Sequence, residues 1–389
     1  MNFPWRIPLI LAVTTFIHYL DRNALAIALP LIANEYHWTE KEIGLYGEYV
    51  LGAFYLSFGV SQILLSGVVE RWNIKAGLAL SIGGFSVVTM LFYPFGDSLL
   101  MLTLLRLLLG AAESLHMPMN SAIVARTFPP TQRGRANSIY LGGILLSLMF
   151  GPLCMSMLIQ AVGWRLSFAI LGLTGLMVAL PLVVWGIPSF PPAKRNMPTP
   201  LKLPLSFWLY TAAGSANAFC VFGMLNWLPS YLSRARGIPF EGLSLPLFAV
   251  FASGVGGILL WAWIGDRAQR RLEWAIAGLT VAGICVSLTA LPISTLLTLL
   301  LLTLGVFFQS SYNAQEFATL QERYPSCSAG AVTGLYNGLS VLIGGVGGSL
   351  LPGLILAITG SFQNAILSIA GGAFLVAGLL LLFSHSQKV

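Results

Sequence analysis

The sequence predicts an all-α integral membrane protein whose twelve transmembrane helices form two pseudo-symmetric six-helix bundles. Three observations carry that prediction. Of the 389 residues, 57% are hydrophobic and only 8% are charged, whereas charged residues make up about a quarter of a soluble domain. Apolar stretches of roughly 20 residues recur along the whole length, each long enough at about 1.5 Å per residue to cross a hydrocarbon core of about 30 Å. A single proline-rich polar segment, Pro188 to Pro204, interrupts them near the middle of the chain.

In the first half, spans are expected at 6–30, 43–66, 76–95, 99–125, 136–161 and 166–187. The first is read as a retained span, because it lacks a small-residue cleavage site and is interrupted by Asp21 and Arg22. In the second half the spans fall at 205–232, 243–264, 273–291, 295–319, 328–358 and 363–384. The expected organisation is therefore an N-terminal bundle (1–188), a cytoplasmic linker (189–204) and a C-terminal bundle (205–389). A faint repeat supports the duplication. Glu70, Arg71 and Lys75 recur as Asp266, Arg267 and Arg271, and Ala169, Ile170 and Leu171 recur as Ala365, Ile366 and Leu367, both at an offset of 196 residues. Paired halves of this kind place a substrate site between them in many transporters.

The formal charge of +7 reflects topology rather than nucleic-acid binding. Twelve spans put both termini on one side. The loops of that side carry Arg71, Lys75, Arg126, Arg133, Arg135, Arg267, Arg270 and Arg271 among others, and the opposite loops only Lys41, Arg165, Arg234 and Arg236. This excess marks the cytoplasmic face, so the chain is expected in the inner (cytoplasmic) membrane with both termini inside. Cys154, Cys220, Cys285 and Cys327 stand singly in apolar surroundings and are read as small core residues, not as a disulfide or metal framework. The glycine runs Gly254–Gly257 and Gly344–Gly348 lie inside apolar spans, which suits close helix packing rather than phosphate binding.

The informative residues are those that apolar spans exclude: Asp21 and Arg22 in the first, Arg106 and Glu113 in the fourth. Each costs about 2.5–3.5 kcal/mol at a helix centre on insertion scales, so these groups must face one another or water. Arg106, Gly110, Glu113, Met117 and Asn120 fall on one stripe of the fourth span, separated by three, four and seven residues. Gly110 leaves room for a ligand or another helix. Thr14, His18, Asp21 and Arg22 form a second polar stripe. Adjacent Asp21 and Arg22 point about 100° apart and should serve separate partners. Buried ion pairs can simply lock helices together, but they stabilise poorly compared with apolar packing, and four such groups favour a working site. A carboxyl in low dielectric can exchange protons, and an arginine fork can hold a carboxylate. His18 and His116 are possible proton relays, each with packing as the plainer reading. Tyr19, Tyr55, Asn120 and Asn337 are among the neutral groups able to bond a hydroxylated substrate or a neighbouring helix. Glu316 is expected to pair with Arg323 as a structural contact.

These residues resemble the major facilitator superfamily, and within it the anion:cation symporters that include sugar-acid permeases and sialin-like carriers. The resemblance spans essentially the whole chain. It rests on Tyr19-Leu20-Asp21-Arg22, on Arg106, Gly110, Glu113 and Pro118, on Arg133-Gly134-Arg135-Ala136 after Phe128-Pro129, and on Gly163-Trp164-Arg165 with Phe168 and Gly172. In the second half it rests on Trp227-Leu228-Pro229-Ser230-Tyr231-Leu232, Gly334 with Asn337, Pro352 and Gly360-Ser361-Phe362. The chain departs from the pattern at Ser66, Glu70 and Asn73 in the loop after the second span, at Leu64 where a proline is common, and at His18 where an asparagine is usual.

The resemblance implies that Arg22 binds the acidic group of a substrate, that Asp21 and Glu113 are protonated in turn, and that Arg106 holds Glu113 or Asp21 in the unloaded state. Glu70, Arg71, Asp266 and Arg267 would form the inner gate. The expected function is proton-coupled symport of a small organic anion, such as a sugar acid, by alternating access, as a monomer in lipid, without cofactor, metal or nucleic acid. A proton-coupled exporter of an amphiphilic or siderophore-like compound is the alternative. A membrane-embedded enzyme acting on lipid with His18 or His116 as base is disfavoured, because no nucleophile or metal set accompanies either histidine.

Overall fold

A computed structural model describes residues 3–190, 203–268, 270–323 and 329–386. Most of the expected linker therefore lies outside the described residues, as does Cys327. No strand occurs among the described residues.

The first half contains α1 (Phe3–Glu35), α2 (Glu40–Trp72), α3 (Ile74–Phe95), α4 (Leu99–Glu113), α5 (His116–Thr127), α6 (Pro130–Val162), α7 (Trp164–Thr174) and α8 (Leu180–Gly186). The second contains α9 (Leu205–Ser230), α10 (Ser244–Ala268), α11 (Arg271–Leu288), α12 (Thr295–Arg323), α13 (Ala329–Thr359) and α14 (Phe362–Ser386). Ten helices among the described residues are long and apolar enough to cross a membrane. The other two expected spans fall on α1 and α9, which at 33 and 26 residues have the length. Their buried polar side chains, Asp21 and Arg22 on α1 and Asn217 and Asn226 on α9, lower their hydropathy.

Local chemistry sets the helix ends. Thr39 and Glu42 form a capping box at the start of α2, the Thr39 amide donating to Glu42 Oε2 at 2.8 Å and the Glu42 amide to Thr39 Oγ1 at 3.4 Å. Asn73, where the resembled family has glycine, caps α3 by accepting from the Ala76 amide at 3.0 Å. The fourth span is not the continuous helix its stripe suggested. It breaks at Ser114 and Leu115, between α4 and α5, because Pro118 has no amide hydrogen for the Ser114 carbonyl and its ring crowds that turn. The sixth span is likewise divided, by a π-helical turn at Gly175–Ala179.

The chain forms two compact units, one of Met1–Ala28 with Ala53–Pro198, the other of Leu29–Gly52 with Thr199–Val389. Residues 29–52, placed by the sequence in the N-terminal bundle, thus cluster with the second half. Gly44 accounts for this. A Cβ at that position would overlap the Ala357 amide nitrogen and lie 2.6 Å from the Gly353 carbonyl oxygen, so α2 crosses α13 backbone against backbone. The glycine runs pack as expected: Gly257 lies against the Phe307 carbonyl and Gly348 against that of Phe219. Cys220 and Cys285 are buried, but Cys154 is exposed, a correction to its reading as a core residue: it stands on the outer side of α6, where an apolar thiol suits lipid as well as protein.

Candidate functional site

The first unit gathers Asp21, Arg22, Arg106 and Glu113, all at most 4% exposed, and adds His18 and His116, both fully buried. The physics of each helix explains the convergence. Asp21 and Arg22 are neighbours on α1 and diverge, as a 100° step requires. Asp21 Oδ2 accepts from Thr89 Oγ1 of α3 at 2.6 Å, while Arg22 Nε donates to Glu113 Oε2 at the end of α4 at 3.2 Å.

Glu113 is the hub. The same Oε2 lies 3.1 Å from His18 Nε2, at ion-pair distance though out of hydrogen-bond alignment. His18 stacks on His116 with ring centroids 4.3 Å apart and planes 12° from parallel. His116 Nε2 lies 3.5 Å from Thr15 Oγ1, which accepts from Asn120 Nδ2 at 3.0 Å. A buried polar run therefore links Glu113 through two imidazoles to Thr15 and Asn120. The break between α4 and α5 sets where His116 begins its helix, and this pairing had no signal in the sequence beyond two histidines on separate spans.

Arginine packing completes the site. The Arg22 guanidinium lies over the rings of Tyr19, Phe54 and Phe58 at 4.6, 5.2 and 4.5 Å, and that of Arg106 over Phe54 at 4.5 Å. Arg106 Nη1 also reaches the Arg22 carbonyl oxygen at 3.5 Å. Gly110 makes room for a helix: a Cβ there would overlap the Phe54 carbonyl and Ser57 Oγ of α2. This close crossing presses Phe54 and Phe58, which the sequence reading overlooked, against the cations.

Several buried polar atoms in this cluster have no hydrogen-bond partner: Arg22 Nη2, Asp21 Oδ1, Glu113 Oε1, Nδ1 of both histidines, and Asn120 Oδ1. Buried polar groups are ordinarily satisfied, so these atoms mark capacity to bond something further. One guanidinium edge, two carboxyl oxygens and an amide oxygen suit an anion with hydroxyls, together with protons.

The remaining sequence-selected residues are placed as follows. Tyr55 is buried, Tyr19 partly so. Asn337 is exposed on α13 in the second unit, next to the fully buried Tyr336. Arg267 is exposed and stacks on Trp263 at 4.2 Å. The side chains of Glu70, Arg71 and Asp266 lie outside the described residues. No cluster of metal ligands occurs among the described residues.

Comparison with known proteins identifies the family. The chain is 27% identical over 434 residues to the probable galactarate/D-glucarate transporter GudP of Bacillus subtilis (strain 168), covering 99% of this chain and 93% of that protein. It is 27% identical over 399 residues to the hexuronate transporter of the same organism, with 95% and 90% covered. Its fold is similar to that of a bacterial homolog of the human lysosomal transporter Spinster, solved in an inward-facing, unoccupied conformation. The TM-score is 0.83, at 16% identity, over 99% of this chain and 98% of that one. The sequence profile of the Major Facilitator Superfamily matches residues 11–349. The chain is a multi-pass membrane protein and belongs to the Major Facilitator Superfamily.

Proposed function

We propose that the protein imports a small organic anion, such as a sugar acid, together with protons by alternating access. The observation that carries this reading is the buried Arg22–Glu113 pair, 3.2 Å apart, with Arg22 Nη2 and Glu113 Oε1 both lacking partners. Arg22 receives the substrate carboxylate. Protonation of Glu113, and separately of Asp21, releases the arginine and reduces the charge enclosed when the site is shut off from water. Arg106, held over Phe54, keeps a positive field at the carboxyls in the unloaded state. His18 and His116 pass the proton to and from Glu113. Tyr19, Tyr55, Asn120 and Asn337 bond substrate hydroxyls, and Glu70, Arg71, Asp266 and Arg267 gate the inner face. The functional halves are 1–188 and 205–389 joined by 189–204, in the inner membrane with both termini cytoplasmic, working as a monomer.

The substrate class is supported by relatives named as galactarate/D-glucarate and hexuronate transporters. Uptake of labelled sugar acids into proteoliposomes under an imposed proton gradient is the test. Glu113→Gln should lose gradient-driven accumulation while retaining exchange of anion for anion. Undiminished accumulation in that variant would remove the coupling role. Flux solely outward in oriented vesicles would replace import by export.

A further inference from the structure

The second unit holds a buried polar arrangement that the proposed mechanism does not use. Glu316 on α12 is partly buried, and its Oε1 accepts from Tyr336 Oη of α13 at 2.7 Å. Tyr336 Oη is also 2.7 Å from Tyr312 Oη. A phenol has one hydrogen, so when Tyr336 donates to Glu316 it must accept from Tyr312. Tyr210 Oη of α9 donates to the Glu316 main-chain oxygen at 2.8 Å. The three tyrosines, each at most 1% exposed, belong to an apolar cluster with Phe207, Leu279, Leu320, Val376, Leu380 and Phe383. Space for the Tyr336 hydroxyl is reserved by Gly214, where a Cβ would overlap it.

Charge compensation is missing among the described residues. No salt bridge to Glu316 forms there. Arg271 of the neighbouring α11 bonds Gln315 Oε1 at 2.9 Å and Glu322 Oε1 at 3.0 Å instead. The expected partner Arg323 has its side chain outside the described residues. Among the described residues, the titratable groups packed around Glu316 are Tyr336, Tyr312 and Tyr210. A carboxylate entering low dielectric without a counter-cation sheds its charge by taking a proton. The phenol chain serves both states at the carboxyl: reversing its hydrogens lets a protonated Glu316 donate to Tyr336 and Tyr336 to Tyr312, and the Tyr312 hydrogen turns away from Tyr336. A merely structural anchor needs only one of these directions.

We propose that Glu316, with Tyr336 and Tyr312, is a second proton-binding site, separate from Asp21 and Glu113 and lying in the other unit. Its use during transport rests on the proton-coupled reading above; its titration does not. The test is infrared difference spectroscopy of the full-length protein in liposomes, following the protonated-carboxyl band across the pH range in which the protein stays folded. Glu316→Gln should remove one component of the wild-type titration. Tyr336→Phe keeps the carboxyl and should displace that component without abolishing it, and Glu113→Gln should leave it in place. A Glu316→Gln titration superimposable on the wild type overturns the inference, as does a Tyr336→Phe titration that is unmoved. If the component titrates as expected but wild-type vesicles accumulate no anion under a proton gradient, the proposed function fails alone. If accumulation is intact and Glu316→Gln removes nothing, the second site fails alone.

Discussion

The two units solve the problem of burying polarity in opposite ways. The first encloses full charges, Arg22, Arg106, Asp21 and Glu113, whereas no lysine or arginine of the second is buried among the described residues. Apart from Glu316, the second relies on neutral pairs: Asn217 Nδ2 to Asn313 Oδ1 at 2.7 Å and Asn226 Nδ2 to Ser349 Oγ at 2.8 Å. Neutral pairs cost little to enclose and change little with pH. Buried charges are expensive and are strongly altered by one proton or one anionic ligand. Under the proposed function, the difference assigns anion recognition and the main coupling step to one unit, while the other supplies hydrogen bonds.

The contrast is tested most severely at Arg22. Arg22→Gln removes the guanidinium whose Nη2 is buried without a partner beside Glu113, and should abolish sugar-acid uptake; the loss corresponds to about 2–5 kcal/mol of binding, as for a truncated buried charge pair. Removal of Asn217 by Asn217→Ala should instead weaken uptake by no more than about tenfold, the value of one neutral hydrogen bond. Equal losses at Arg22 and Asn217, read as initial rates against substrate concentration, would erase the distinction between the units. Gly110→Val drives a side chain into the α2 backbone and should destabilise by about 1–3 kcal/mol or more, seen as a lowered melting temperature that added substrate partly restores. His18→Asn supplies the residue the resembled family commonly has. It should preserve anion exchange but alter the pH profile of net uptake, because it removes one imidazole of the stack. The smallest effect belongs to Asn73→Ala, where loss of the α3 cap should cost about 1 kcal/mol with no change in substrate selectivity.

Much of the fold was legible because membrane burial imposes long apolar runs with conspicuous exceptions. The spans and the burial of the four ionisable residues could be read that way. The break in the fourth span was signalled by Pro118 and still missed, since its stripe was drawn as one helix. The clustering of residues 29–52 with the second half was not legible. It depends on Gly44 meeting Gly353 and Ala357, more than 300 residues away, and no local pattern encodes that.

The sequence alone determined which residues must be shielded from lipid, because hydropathy and the cost of a charge are properties of single side chains. Only the tertiary structure decided their partners: that Arg22 meets Glu113 and Asp21 meets Thr89, that His18 stacks on His116, and that Glu316 accepts from Tyr336. Pairing is set by how helices rotate and approach, and that geometry follows from packing across the whole unit, not from any one span.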